Sequence, residues 1–229
     1  MGDQTTSNHT AANTAIAFGR PVDWAIGAIL GIAGTLIVLG GTSLYYSVNR
    51  TDVTDYVHSS EFQSEVLTDG EAIDALVALG QWSGIGLLFA GALLVLLGIA
   101  LVIGHRQARN ERHSTPHWIL GVAGALISSL LSFIPLSPIL GGAVAGYLNP
   151  NPESSGLGIG TTAGVFGSLP LLVVIIFTSV GLILSAPSET AAAVVTAVSI
   201  VLLLILPYFV GLSAIGGYLG GWIRQLRFD

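Results

Sequence analysis

Trp118-Ile-Leu-Gly-Val-Ala-Gly-Ala-Leu-Ile-Ser-Ser-Leu-Leu-Ser-Phe-Ile-Pro-Leu-Ser-Pro-Ile-Leu-Gly-Gly-Ala-Val-Ala-Gly-Tyr-Leu148 contains no acidic or basic side chain. A run of this length and composition has no stable home in water; hydrocarbon is its solvent. As one helix it would extend about 46 Å, well over a hydrocarbon core of about 30 Å. Pro135 and Pro138 stand in its middle, where a proline removes a backbone donor and clashes with the preceding turn. Two readings follow: one kinked, tilted span, or a full span followed by a short one of about 14 residues.

The rest of the chain agrees with a membrane. Of 229 residues, 52% are hydrophobic and 9% charged, with mean hydropathy +0.79; a soluble domain carries about 25% charged residues. Between Trp118 and Trp222 the only acidic or basic side chains are Glu153 and Glu189, both in short polar breaks. Charge-free spans argue against proton relays, voltage sensors and ion-coupled transport, which need intramembrane charges. The net charge of −6, with no basic stripe, argues against a nucleic-acid partner. The absence of cysteine removes disulfides, thiolate catalysis and cysteine-ligated metals together. All seven basic residues are arginine; with the acidic balance, this looks like the usage of a halophilic archaeon.

Residues 1–20 are polar and lack the basic and apolar regions of a signal peptide, so they read as a disordered cytoplasmic tail. Pro21 suits a first helical turn, and Asp23 complements the dipole of that helix. A first span covers Trp24 to Val48, with Trp24, Tyr45 and Tyr46 as interfacial anchors. Residues 49–81 hold seven carboxylates (Asp52, Asp55, Glu61, Glu65, Asp69, Glu71 and Asp74). Val57, Phe62, Val66, Ile73, Leu76 and Val77 recur there at helical spacing, which predicts two short amphipathic helices with a turn at Asp69-Gly70. Thr68 to Glu71 has the form of a capping box. The second span runs from Trp82 to Ile103. His105, Arg106, Arg109, Glu111, Arg112, His113 and His117 follow it; Arg106, Arg109 and Arg112 make this linker cytoplasmic by the positive-inside rule and place loop 49–81 outside the cell. Further on, Gly158–Ser185 is a span with Pro170 inside. Ala191–Ile223 is over-long, with Pro207 near its middle and Arg224 and Arg227 behind it.

The expected fold is an all-α, polytopic membrane protein: five hydrophobic blocks giving five or six passes. Residues 21–104 form a two-span module with the acidic loop, 105–117 a basic linker, and 118–229 a Gly/Pro-rich multi-span domain. Six passes return the C-terminal arginines to the cytoplasm, as the positive-inside rule asks.

Leu136 to Leu148 echoes Leu212 to Ile223 once one residue is skipped, and each segment follows a proline, Pro135 or Pro207. Gly/Pro-interrupted segments in matching halves mark binding sites in transporters; the plainer explanation is that glycine-rich apolar helices share few residue types. The Pro-x-x-Pro-x-Leu-Gly-Gly-Ala-Val-Ala-Gly-Tyr-Leu run, the Gly-rich span after it that ends in Ser-Leu-Pro-Leu-Leu and the run Gly211 to Gly220 resemble a family of haloarchaeal membrane proteins classed as a domain of unknown function. The resemblance covers about 118–224. It implies an archaeal cell membrane and brings no activity, ligand or catalytic residue.

Glycines four apart recur: Gly27 and Gly31, Gly80 and Gly84, Gly142 and Gly146, Gly160 and Gly164, Gly217 and Gly221. Such pairs let helix backbones approach closely, either within one bundle or between copies of the chain. Ser128, Ser129, Ser132, Ser137, Thr161, Thr162, Thr178 and Ser179 either line a polar path or bond their own helix. His113 and His117, with His105 nearby, lack partners for a metal site and read as solvated loop histidines. Asn49-Arg-Thr is a glycosylation sequon on the side assigned as external. No catalytic constellation is apparent, and no metal or cofactor is called for. The reading is therefore a non-enzymatic integral membrane protein, structural or accessory, in contact with membrane lipid and with a homo-oligomer or membrane-protein partner through small-residue faces. The alternative is a passive channel or permease for a small uncharged solute through the Pro-broken helices at Pro135, Pro138, Pro170 and Pro207.

Overall fold

A computed structural model describes residues 19–59, 67–110, 115–149, 156–186 and 188–228. Every regular element among them is helical: α1 (Arg20–Ser47), α2 (Arg50–Val57), α3 (Asp69–Asn110), α4 (His117–Leu130), α5 (Ser137–Tyr147), α6 (Gly156–Ser185), α7 (Ser188–Leu206), a π-helical segment (Pro207–Gly211) and α8 (Leu212–Phe228). Four stretches are long and apolar enough to cross a membrane: Arg20–Ser47, Asp69–Asn110, Gly156–Ser185 and Ala191–Leu226. Leu36, Leu96, Leu184, Leu203 and Leu226 point outward from them and are exposed. A soluble protein rarely exposes apolar surface on that scale, so the architecture is compatible with a multi-pass membrane protein.

The over-long third block is not one kinked helix; it divides into two helices, as the second reading has it, with the first of them also short. It is a helical hairpin. Gly124 packs on Gly141 and Ala145, and Gly141 on Ser128, so α4 and α5 run antiparallel around a turn at 131–136. Their 14 and 11 residues extend about 21 and 16 Å, each short of a 30 Å core. Pro135 lies in the turn, and Pro138 sits in the first turn of α5, where its fixed φ favours the helix. The amides of Leu131, Ser132, Ile134 and Ser137 are taken by carbonyls three or four residues back, so the turn satisfies most of its own donors.

Neighbour pairs give the directions of the other helices. Gly41 faces Gly84, Gly34 faces Gly91 and Gly27 faces Gly98, so α1 and α3 are antiparallel. Trp82 lies on Gly181 and Gly86 on Val174, so α3 and α6 are antiparallel as well. Gly160 and Gly164 meet Ser213 and Phe209, placing α8 antiparallel to α6. One end of the bundle therefore gathers the start of α1, the end of α3, both feet of the hairpin, the start of α6 and the end of α8, and with them Arg20, Arg106, Arg109 and Arg224. The opposite end carries Asp52, Asp55, Asp69, Glu71 and Asp74, and Arg50, whose guanidinium is 2.6 Å from Asp74. Arg224 shares an end with Arg106 and Arg109 because the third block turns back on itself.

Two more boundaries differ from expectation. Pro170 does not break α6, which is continuous through it; membrane helices tolerate the lost bond where neighbours compensate. Pro207 does not end its helix either: the backbone switches to π-type pairing over five residues and continues as α8. In the acidic segment, α2 is a separate short helix, but the second predicted amphipathic helix is the first turns of α3. Val57, Ala72 and Ile73 form a small core with Leu76 and Val77 against it; Phe62 and Val66 lie outside the described residues. The capping box is present: the Glu71 carboxylate accepts from the Thr68 amide and hydroxyl, both at 2.8 Å.

Candidate functional site

The densest polar chemistry inside the bundle sits where α1 begins and α3 ends. Asp23 is 1% exposed, His105 0% and Thr115 2%. His105 Nδ1 meets Asp23 Oδ1, and His105 Nε2 is 3.2 Å from the Thr115 hydroxyl. Arg109 Nη2 lies 2.5 Å from Asp23 Oδ2; this is an ion pair in distance and not an aligned hydrogen bond, since Oδ2 and the buried Arg109 Nη1 have no hydrogen-bond partner of their own. One carboxylate on α1 thus holds an imidazole and a guanidinium on α3. The imidazole reaches on to Thr115, two residues before α4.

This corrects two expectations. Asp23 stands in the first turn of α1, but its carboxylate faces an imidazole and a guanidinium and does more than complement the helix dipole. His105 is not a solvated loop histidine: α3 runs on to Asn110 and carries the ring into the interior. The antiparallel register explains why. The same pairing that sets Gly27 against Gly98 and Val102 brings residue 23 level with residue 105. A buried charge needs a partner, and two polar residues at equivalent depth on paired spans were the available signal. The order hydroxyl, imidazole, carboxylate also matches that of an activated nucleophile. Here, however, the hydroxyl is buried and Arg109 claims the second carboxylate oxygen. The arrangement suits holding three chain segments together.

The second feature is a glycine seam among α5, α6 and α8. Gly142 lies against Ser213, Gly146 against Gly217, Gly160 against Ser213 and Gly217, and Gly164 against Phe209 and Val210. A Cβ at Gly217 would stand 2.6 Å from the Gly160 Cα, and one at Gly142 2.9 Å from the Ser213 Cα. Gly216 and Gly220 meet the carbonyls of Ile139 and Ala143 so closely that any Cβ would overlap them. Gly221 is less tight, at 3.4 Å from Gly156. The two echoing segments of the sequence are thus parallel neighbours that interlock along their glycine faces. These faces are filled from within the chain.

Tyr208, in the π segment, donates its hydroxyl hydrogen to the Pro135 carbonyl at the hairpin turn. Most intramembrane hydroxyls are spent on their own helices: Ser129 on Ala125, Thr161 on Leu157, Thr162 on Ile159, Ser168 on Val165, Ser179 on Ile175, Thr196 on Ala192 and Ser199 on Val195. Thr178 pairs with Ser83 across α6 and α3 at 2.8 Å. Asn49 caps α2, accepting from the Asp52 amide and donating to the Asp52 carboxylate. Arg106 is exposed on the last turns of α3, while Glu111, Arg112, His113 and Glu153 lie outside the described residues. No group of three metal-ligating side chains occurs among the described residues.

Searches of curated proteins and of solved structures each return no match to the chain. Residues 118–223, from the start of the hairpin to the end of the glycine seam, match a family described as "Family of unknown function (DUF5518)".

Proposed function

We propose that this chain is a non-enzymatic integral membrane protein of the cell membrane, a structural or accessory component whose arginine-rich end faces the cytoplasm and whose acidic end faces outward. The observation that carries the reading is the glycine seam: α5, α6 and α8 meet at backbone distance along the helices that a solute path would need. The positive-inside rule supports the orientation, since Arg20, Arg106, Arg109 and Arg224 share one end. Because the glycine faces of α5, α6 and α8 pack on one another, association with membrane lipid or with a protein partner uses the outer apolar surface.

A passive channel or permease for a small uncharged solute is the second reading. The hairpin and the π segment favour it, since interrupted helices at membrane depth line pathways in transporters. Stopped-flow light scattering on proteoliposomes separates the two. The structural reading expects water and glycerol permeabilities equal to those of protein-free vesicles; a protein-dependent rise in either would replace it with the channel.

A further inference from the structure

Backbone amides and carbonyls inside a bilayer need partners, because hydrocarbon offers none. The hairpin turn at 131–136 meets this demand only in part. The amides of Leu131, Ser132, Ile134 and Ser137 are bonded, Pro135 has no donor to satisfy, and the Pro135 carbonyl accepts from the Tyr208 hydroxyl. Among the described residues, the amides of Phe133 and Leu136 reach no acceptor, and the carbonyls of Ser132 and Phe133 receive no donor.

The turn is also deep. From the basic end α4 runs parallel to α6, with Gly121 on Thr162 and Gly167 beside Ala125. Residues 131–136 therefore lie level with those just after Pro170, near the middle of α6. The length of the leg agrees: about 21 Å of helix stops roughly 9 Å short of the far side of a core of about 30 Å. The chain does not cover the turn. Phe133 is 78% exposed, and Leu130 and Leu136 are more than half exposed. Irregular backbone at membrane depth is tolerated where it is buried in protein or lines a water-filled cavity, and this turn is not buried in its own chain.

We propose that the turn is a hydrated site: water enters from the acidic end, above the short hairpin, and hydrogen-bonds the amides of Phe133 and Leu136 and the carbonyls of Ser132 and Phe133. Water supplies both the acceptors and the donors that these groups lack. A protein partner would have to carry matching polar groups to the same depth. The vestibule is blind, because toward the basic end Gly124 meets Gly141 and Gly146 meets Gly217 at backbone distance. The proposal rests on the membrane reading above, and not on the choice between structural component and channel.

The chain is free of cysteine, so a spin label on Ser132→Cys, an exposed position, reports the turn without background. Leu36→Cys and Leu203→Cys, outward-facing near the same level, are the controls. In proteoliposomes the controls are expected to collide with oxygen and hardly with a water-soluble nickel chelate, whereas the Ser132 label collides with the chelate severalfold more often than either. A Ser132 label that behaves like the controls, or one shielded from both relaxers by a partner, overturns the proposal. Controls open to the chelate would overturn the membrane reading and the proposal with it. Hydrogen exchange on the native chain gives a second reading: the Phe133 and Leu136 amides should exchange well before the bonded amides of Leu131 and Ile134, and equal protection of all four also overturns it.

Discussion

Both halves of the molecule are closed by glycine, but on different repeats. In the α1/α3 pair the facing glycines are seven apart: Gly27, Gly34 and Gly41 against Gly98, Gly91 and Gly84. Seven residues are two helical turns, the repeat of a left-handed supercoil. A Cβ there would stand 2.5–2.9 Å from the facing Gly34, Gly41, Gly84 and Gly91 carbonyl oxygens. In the α5/α6/α8 unit the spacing is four, as in Gly142/Gly146 and Gly160/Gly164, the repeat of close right-handed crossings, and Gly217 is sandwiched by two helices at once. The first pair adds a buried polar cluster at one end, whereas the second unit relies on backbone proximity and the Tyr208 bond to Pro135. The lesson is that one residue type at two spacings builds two kinds of interface.

The largest effect is expected from the polar cluster. Asp23→Ala leaves His105 and Arg109 without their shared carboxylate, and breaking a buried pair this way costs about 3–5 kcal/mol; reversible unfolding in micelles by steric trapping would read it. A loss below about 1 kcal/mol would mean that the cluster is already hydrated. Next comes Gly217→Ala, which drives a methyl into the α6 backbone at Gly156 and Gly160 and should cost about 3 kcal/mol, the upper range for overpacking. Gly31→Ala, whose site has nothing within 4 Å, should instead gain about 0.5–1 kcal/mol from helix propensity. Equal effects at the two positions would erase the distinction between a filled and an empty glycine face. Tyr208→Phe removes one interhelical bond, worth about 1 kcal/mol, and should loosen the hairpin turn in hydrogen exchange without changing the α1/α3 pair.

The smallest effect concerns the acidic end. The Thr68 amide and hydroxyl hold the Glu71 carboxyl below its ordinary range, and Glu71 precedes the apolar part of α3. Because the folded value is lowered, its support of the first turn is present above the ordinary carboxylate range and is lost as pH falls through the lowered value. Protection of the Ala72 and Ile73 amides, taken relative to their intrinsic exchange rates at each pH, should therefore fall in acid, and Thr68→Ala should show that lower protection already at neutral pH.

Much of this was legible in the chain. The apolar blocks, the capping box at Thr68–Glu71 and the interruption at Pro135 follow from local rules. The direction of the chain after Pro135 did not, because a kinked span and a hairpin satisfy the same hydropathy. The seven-residue glycine repeat is written in the same sequence as the four-residue one, and spacing alone does not say which of the two faces a neighbour; the structure pairs Gly27 with Gly34, and not with Gly31. Asp23 and His105 are 82 residues apart, and only the antiparallel register makes them neighbours. Pro170 and Pro207 show the reverse failure: a local breaker signal was overridden by tertiary packing and by a π-type adjustment.

The central claim is that 118–148 turns back within the membrane, so that the end of α3 and the end of α8 lie on one side. Three single variants, Gln107→Cys, Gln225→Cys and Ser47→Cys, all at exposed positions, can be probed in intact cells with an impermeant maleimide. The expected result is that the thiols at positions 107 and 225 behave alike, both protected, while the thiol at position 47 reacts. Opposite reactivity at positions 107 and 225 would make the block a single crossing and contradict the hairpin.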